Sequence, residues 1–299
     1  MKKVTIIIPS YNHQDYISNL LNQVKHLVYL CNVIIVDDAS SDKSVFIINE
    51  FVSEFQCDNS IKVLLKDKNK GLVDSLRLAI NHVQTEYLFM IASDDEINVE
   101  SFITAIDLIG ENKDNSFFLF NSNVVDQNGT FLKKAYGEKH ANFFRLPNHD
   151  IRQKIFYDHP SPILLQSTIF KSSLFRKYNL IDLRLKFDDY PIFIKLFSIE
   201  ERERITFKYF EDITLSKYRH HGDNTFEDYR KMYSMFLEVY RALASGSLKN
   251  KSIGLIWNLY FFRSLKSGRI SDVFYFLSVK EFFIGLKYTF LFLKNKVSK

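Results

Sequence analysis

Three pairs of adjacent carboxylates carry the chemistry legible in this chain: Asp37-Asp38, Asp94-Asp95 and Asp188-Asp189. Neighbouring carboxylates repel, and keeping two together raises the pKa of one unless a positive or hydrogen-donating group compensates. A divalent cation and a nucleotide are the usual compensating ligands. The first two pairs follow short apolar runs, Val33-Ile34-Ile35-Val36 and Tyr87–Ile91. Both pairs are therefore expected on one rim of a sheet. The plain alternative is solvated aspartates capping the helices that follow. Two pairs on one rim weigh against it.

The elements that must position these pairs alternate through the first half. Val4–Pro9 is a continuous apolar run, as expected of a strand buried on both faces. Helical spacing follows over Asp15–Val28, then a strand at Val33–Val36 and a helix over Ser41–Phe55. The same alternation predicts a strand at Ile61–Leu65, a helix over Leu72–Val83, a strand at Tyr87–Ile91 and a helix over Val99–Ile109. Such repeats imply a parallel sheet covered by helices. Its ligands are expected beyond the carboxyl ends of the strands. Beyond residue 115 the rhythm changes. Phe117–Val125 and Thr130–Lys134 flank Asp126-Gln127-Asn128-Gly129, a hairpin turn signal. Leu164–Phe170 reads as strand, Asp189–Ile199 as helix, Ile205–Tyr218 as strand, and everything from Phe226 as helix.

Read in order, the local text gives Ile8-Pro9-Ser10-Tyr11-Asn12-His13, Val36-Asp37-Asp38-Ala39-Ser40, Asn69-Lys70-Gly71, Ser93-Asp94-Asp95, Asp188-Asp189-Tyr190 and Tyr218-Arg219-His220-His221. This series resembles the family 2 glycosyltransferases, over about residues 3–225. The resemblance implies an α/β, Rossmann-like GT-A fold with a C-terminal helical extension. It divides the chain into a catalytic domain, 1–225, and a helical region, 226–299. The activity it implies is inverting transfer of a sugar from a nucleotide sugar, in the first place a UDP-sugar.

The resemblance also distributes roles. Pro9, Tyr11 and Asp38 fall where the family holds the nucleotide. The Tyr11 ring can stack on a base, worth about 1–3 kcal/mol, and Asp38 can accept from a base N–H. Asn69 and Gly71 match the segment passing close to the nucleotide. Asp94 and Asp95 match the Asp-x-Asp motif, except that Ala92 replaces its first acid. That leaves Asp95 to bind Mg²⁺ or Mn²⁺ and Asp94 to contact ribose or metal. His221 matches a metal- or diphosphate-reaching histidine, with His220 one position away as its rival. Arg219 is expected on the diphosphate. Asp189 is the expected base that takes the acceptor hydroxyl proton. A nucleotidyltransferase is the first rival reading. It would need a Gly-rich, basic phosphate loop after the first strand, and Ser10-Tyr11-Asn12-His13-Gln14 has no Gly, Lys or Arg. A non-catalytic protein of the same fold is the second, raised by Ala92.

Composition bounds the setting. The chain has 299 residues, 46% hydrophobic and 25% charged, which excludes global disorder. Cys31 and Cys57 form no CxxC or metal spacing, as expected of a reducing cytosol. Met1-Lys2-Lys3 runs straight into the first strand with no signal-peptide core. No run is apolar enough to span a bilayer. The net charge of +5 is uneven. Residues 247–299 hold ten basic and two acidic side chains, a net +8, which leaves −3 for the remainder. The same tail carries Trp257, Phe274, Phe283 and Phe290 among many aromatics. Basic helices with aromatic faces suit an interfacial membrane anchor; packing on the catalytic domain or a second subunit is the alternative. No helix-turn-helix, RRM or finger pattern argues for nucleic acid. Bacterial members of the family extend glycans on polyprenyl diphosphate carriers for O-antigen, capsule or exopolysaccharide. The resemblance therefore implies a cytoplasmic enzyme, peripheral at the inner face of the cell membrane.

Overall fold

The computed structural model describes residues 2–55, 60–199, 203, 205–221 and 227–297. Cys57 and Phe226 lie outside the described residues. The contacts divide the chain into two compact units. The first comprises Met1–Arg145 and Ser161–His221; the second comprises Leu146–Pro160 and Gly222–Lys299. The segment 146–160 thus groups with the C-terminal helices, which a linear division at 225 does not anticipate.

The first unit is built on one mixed sheet. Strands β1 (Val4–Ser10), β2 (Cys31–Asp37), β3 (Ile61–Leu65) and β4 (Tyr87–Met90) pair in parallel, in the order β3-β2-β1-β4. Helices α1 (Ile17–Lys25), α2 (Ser44–Ser53) and α3 (Leu72–Ile80) form the crossovers. Every residue of β1 is buried, as its unbroken apolar run requires. The core gathers Ile6, Ile8, Val33, Ile35 and Phe89 from the strands with Leu20, Val24, Ile48 and Phe102 from the helices.

After β4 come β5 (Glu96–Ile97), α4 (Val99–Glu111), β6 (Phe117–Val125) and β7 (Phe131–Lys134). Then follow α5 (Glu138–Phe144), α6 (Asn148–Lys154), β8 (Thr168–Lys171), α7 (Ser172–Lys177), α8 (Asp189–Ser198) and β9 (Phe207–Arg219). β8 lies antiparallel between β4 and β6, β6 runs parallel to β9, and β5 is antiparallel to β9. The expected strand over Leu164–Phe170 is half right: Leu165–Ser167 is a 3₁₀ turn and only then does β8 begin. The expected hairpin is present. Asp126 Oδ1 accepts from Asn128 N and Thr130 N, and Gly129 takes φ +84°, closing the turn between β6 and β7.

The second unit packs α9 (Tyr229–Leu243), α10 (Gly246–Lys266), α11 (Ile270–Ser278) and α12 (Phe282–Val297) around Trp257. The indole donates to Phe276 O at 2.9 Å and stacks on Phe261. Helices α10 and α12 approach closely at two glycines. A Cβ on Gly285 would collide with the Trp257 ring, and one on Gly254 with Tyr288. Gly285→Ala should therefore destabilise this unit by about 1–3 kcal/mol, the usual range for overpacking, despite alanine's better helix propensity. Thermal unfolding followed by fluorescence of the single tryptophan checks this; an unchanged or raised midpoint refutes it. No helix among the described residues is long and apolar enough to cross a membrane.

Candidate active site

The carboxyl ends of β1 and β2 lock together through their loops. Asn12 and Ala39 both take left-handed backbone, φ 54° and 62°. The bend turns Asn12 back so that its N–H donates to Ser40 Oγ and its Oδ1 accepts from Ser41 N. His13 N donates to Ser44 Oγ and Gln14 N to Asp42 Oδ2. Asp37 closes its own turn by accepting from both Ser40 N and Ser40 Oγ. Pro9 is held inside β1 opposite Val36. Tyr11 is left at the tip, 43% exposed, so its ring is not committed to the core.

Asp38 is placed differently from the expectation of a base contact. Its side chain is buried; Oδ1 accepts from Lys70 N at 2.9 Å and Oδ2 from Gly71 N at 2.7 Å. Lys66 Nζ forms ion pairs with both Asp38 and Asp74. Asn69 Oδ1 accepts a further bond from Gly71 N. Asp38 is thus the anchor of the 69–71 turn. Gly71 needs to be glycine for its φ of +88°, since the space around it is open.

The segment after β4 carries the second acid pair, and its two members point into different surroundings. Asp94 is half-buried, with Oδ2 3.0 Å from His221 Nε2 and Oδ1 3.9 Å from His13 Nδ1. His13 Nδ1 also bonds Ser93 Oγ at 2.7 Å. Burial works to raise the Asp94 pKa, but the His221 hydrogen bond and the nearby His13 outweigh it and hold it below the usual carboxylate range. Asp95 is fully buried. Its Oδ1 accepts from Arg219 N at 2.8 Å and its Oδ2 from Gln166 Nε2 at 3.0 Å. Burial and the neighbouring Asp94 push its pKa well up. The expected assignment of Asp95 to the metal therefore meets a carboxylate already engaged at both oxygens. Asp94 is the less buried member of the pair, bonded through Oδ2 to His221.

Arg219 also departs from expectation. Its guanidinium is 3% exposed and donates to Asp94 O, Gln127 O and Asp126 O while pairing with Glu96. It clamps the Asp94–Glu96 segment to the hairpin turn, so its donors are spent before any diphosphate arrives. The packing also separates the two histidines. His221 meets Asp94 and stacks on Tyr16 at 5.3 Å, whereas the His220 ring packs edge-on against Tyr218.

Asp188 and Asp189 open α8 and are half-buried. Asp189 Oδ1 accepts from Tyr190 N at 2.5 Å. Burial raises the pKa of both, and the charge of Asp188 adds to the rise at Asp189. Tyr218, on β9, ties the two acid pairs to one place. Its phenol is pushed strongly up by burial and by the charges of Asp95, Asp189, Asp94 and Asp188 in that order. Tyr136 feels Asp189 too, and its hydroxyl bonds Ser167 Oγ while accepting from Leu164 N. Gln166, Tyr218, Tyr136, Lys66 and His13 were not singled out as functional in the sequence. His13 and Tyr218 stand in quoted motifs without a role of their own, and Gln166, Tyr136 and Lys66 in none; each matters through a partner distant in the chain.

Among the described residues no group of three or more His, Cys, Asp or Glu side chains comes together to hold a metal alone. Asp94 and His221, hydrogen-bonded to each other, would supply two ligands at most. That fits a cation completed by phosphate oxygens, since Mg²⁺ takes one or two carboxylates beside substrate phosphates. It does not fit a resident, all-protein centre.

The glycosyl transferase family 2 model matches residues 5–174. Over 98 residues the chain is 33% identical to a teichoic acid poly(glycerol phosphate) polymerase of Staphylococcus epidermidis, covering 32% of this chain and 13% of that enzyme. Over 285 residues it is 24% identical to an uncharacterized glycosyltransferase of Haemophilus influenzae, covering 93% of this chain and 94% of the relative. Among solved structures, Staphylococcus aureus TarS 1-349 in complex with UDP superposes with a TM-score of 0.58 at 19% identity. That match covers 89% of this chain and 74% of the TarS chain.

Proposed function

The chain belongs to glycosyl transferase family 2 and has the GT-A fold, and from that premise we propose that it moves a sugar, with inversion, from a UDP-sugar to a hydroxyl of a glycan or polyprenyl-diphosphate-linked acceptor. The observation that carries this reading is the Tyr218 phenol, which feels the carboxylates of Asp94-Asp95 and Asp188-Asp189 together. Both acid pairs lie close to this one phenol, which supports reading them as parts of a single site.

The roles follow from what each side chain has left to offer. Tyr11, exposed at the loop tip, stacks on the base, with Pro9 shaping the turn beneath it. Asp38 acts through the 69–71 turn, fixing the backbone that passes the nucleotide. Asp94 and His221 would hold a Mg²⁺ or Mn²⁺ together with the donor's phosphates. When bound, that cation offsets the charge on the departing diphosphate. Asp95 and Arg219 keep Asp94 in place. Asp189 takes the proton of the acceptor hydroxyl as that oxygen attacks the anomeric carbon, and the nucleoside diphosphate leaves from the opposite face.

The UDP in the TarS complex and the teichoic acid named for the Staphylococcus epidermidis relative support a UDP-sugar donor and bacterial surface polymer synthesis; within that class the proposal extends to O-antigen, capsule and exopolysaccharide. Such acceptors set the enzyme at the inner face of the cell membrane as a peripheral cytoplasmic protein. Calorimetry with UDP-, GDP- and CMP-sugars, each with Mg²⁺ or Mn²⁺, tests the reading. A UDP-sugar should bind in the presence of metal and release UDP on turnover. Release of pyrophosphate would mark a nucleotidyltransferase instead, and binding of no nucleotide sugar would leave only a non-catalytic role.

A further inference from the structure

We propose that helices α10, α11 and α12 form a binding surface for anionic lipid, with aromatic side chains inserting and lysines contacting headgroups. Each helix shows an exposed apolar stripe at helical spacing. On α11 it is Ile270, Phe274 and Leu277, with Ile270 69% and Phe274 67% exposed. On α12 it is Phe283, Leu286 and Phe290, with Phe283 78% and Phe290 69% exposed. On α10, Leu259, Phe262 and Leu265 repeat the pattern. These side chains are separate from the packed centre: Trp257, Tyr260 and Phe276 occupy the interior of the same helices. Spacings of three and four place such residues on one helix face.

Charge decides the occupant. The tail's acids, Asp272 and Glu281, do not mix with this surface. Asp272 pairs with Arg230, and Glu281 is buried and pairs with Arg241, both arginines lying on α9. Lys266, Lys280 and Lys287 are exposed and have no acidic partner among the described residues. Lys266, Lys280 and Lys287 thus present positive charge outward beside large apolar groups. A second copy of the chain would bring the same lysines face to face. An anionic bilayer surface complements both features, because aromatic insertion and basic attraction add.

The membrane setting of the proposed function is the context, but the surface is tested without any sugar transfer, so it can fail while the transferase reading stands. The experiment is flotation of the full-length protein with phosphatidylcholine vesicles, with and without phosphatidylglycerol. Binding should require phosphatidylglycerol and weaken with salt. Lys266→Glu, Lys280→Glu and Lys287→Glu together should lower it by about fivefold or more per residue. Phe274→Ser, Phe283→Ser and Phe290→Ser together should lower it at least about tenfold, since each removes several buried methylene equivalents from the interface. All six positions are exposed, so the fold should hold, and circular dichroism checks that it does. Equal binding of either variant, or no binding of the parent chain, overturns the proposal. A concentration-dependent dimer of the parent that the phenylalanine variant dissolves, without vesicle binding, assigns the surface to a second copy and overturns it too.

Discussion

Asp189→Asn is expected to abolish transfer while leaving donor binding intact and the fold no less stable. The amide keeps the shape but cannot take a proton, and loss of a positioned base removes about 10²–10⁴-fold in rate. Stability should move the other way. The folded pKa of Asp189 lies well above its usual value because burial and Asp188 disfavour the charge. For an acid raised in this manner the folded state holds a proton that the unfolded chain releases. The group is at its most favourable below the ordinary carboxylate range, and that contribution is lost as pH rises through the folded value. Above the folded value the parent bears the cost of an ionised, crowded carboxylate, which asparagine does not. The variant should therefore melt at the same temperature or higher at pH 7, and the difference should vanish in acid. The same shift predicts that the acid limb of kcat/KM for the parent lies above the range of an ordinary carboxylate. Retained turnover, or a lower melting temperature with normal donor binding, removes Asp189 from the role of base.

Asp94→Ala and Asp95→Ala are expected to fail in opposite ways, although the residues are adjacent. Asp94 bonds His221, and in the proposed mechanism it also serves the donor. Its loss should weaken metal-dependent nucleotide-sugar binding by at least about tenfold, with a smaller fall in melting temperature than Asp95→Ala causes. Asp95 is buried and holds Arg219 N and Gln166 Nε2. Truncation leaves those donors unsatisfied in the interior, at about 1–3 kcal/mol each. It also loosens the Arg219 clamp on Asp94 and the 126–127 turn. The melting temperature should drop, with activity falling as a consequence. Paired calorimetry and thermal melts on the two variants decide the matter. If Asp95→Ala folds as well as the parent and loses only metal dependence, the acids have the roles read from sequence and not those read from packing.

The gap between these two readings is instructive. The Asp-Asp pair after β4 is legible as a motif because strand and loop spacing are local properties. Which of the two acids faces a ligand depends on β9, more than a hundred residues away, whose Arg219 amide takes one oxygen of Asp95. The motif at Asp37-Asp38 behaves likewise. Its place at the end of β2 follows from the apolar run before it, but Lys66 and the 69–71 turn claim Asp38 through tertiary contacts. Arg219 looked available for a diphosphate because sequence lists its donors without listing their carbonyl partners.

The same division holds for the whole protein. The order β1 to β4 with crossover helices, the rim on which the acid pairs lie, the Asp126–Gly129 turn and the basic aromatic tail were all determined by sequence. Each rests on hydrophobic period, turn chemistry or charge count, which act over a few residues. Short elements such as β5, α5 and α7 were not legible, because two to seven residues carry too little periodicity and take their shape from what they pack against. The pairing of His221 rather than His220 with Asp94 was decided only when β9 crossed the sheet. The inward pairing of Asp272 and Glu281 was decided only when α9 packed on its neighbours. In both cases a hydrogen bond or ion pair is set by distances across the fold, and residue order along the chain does not encode those distances.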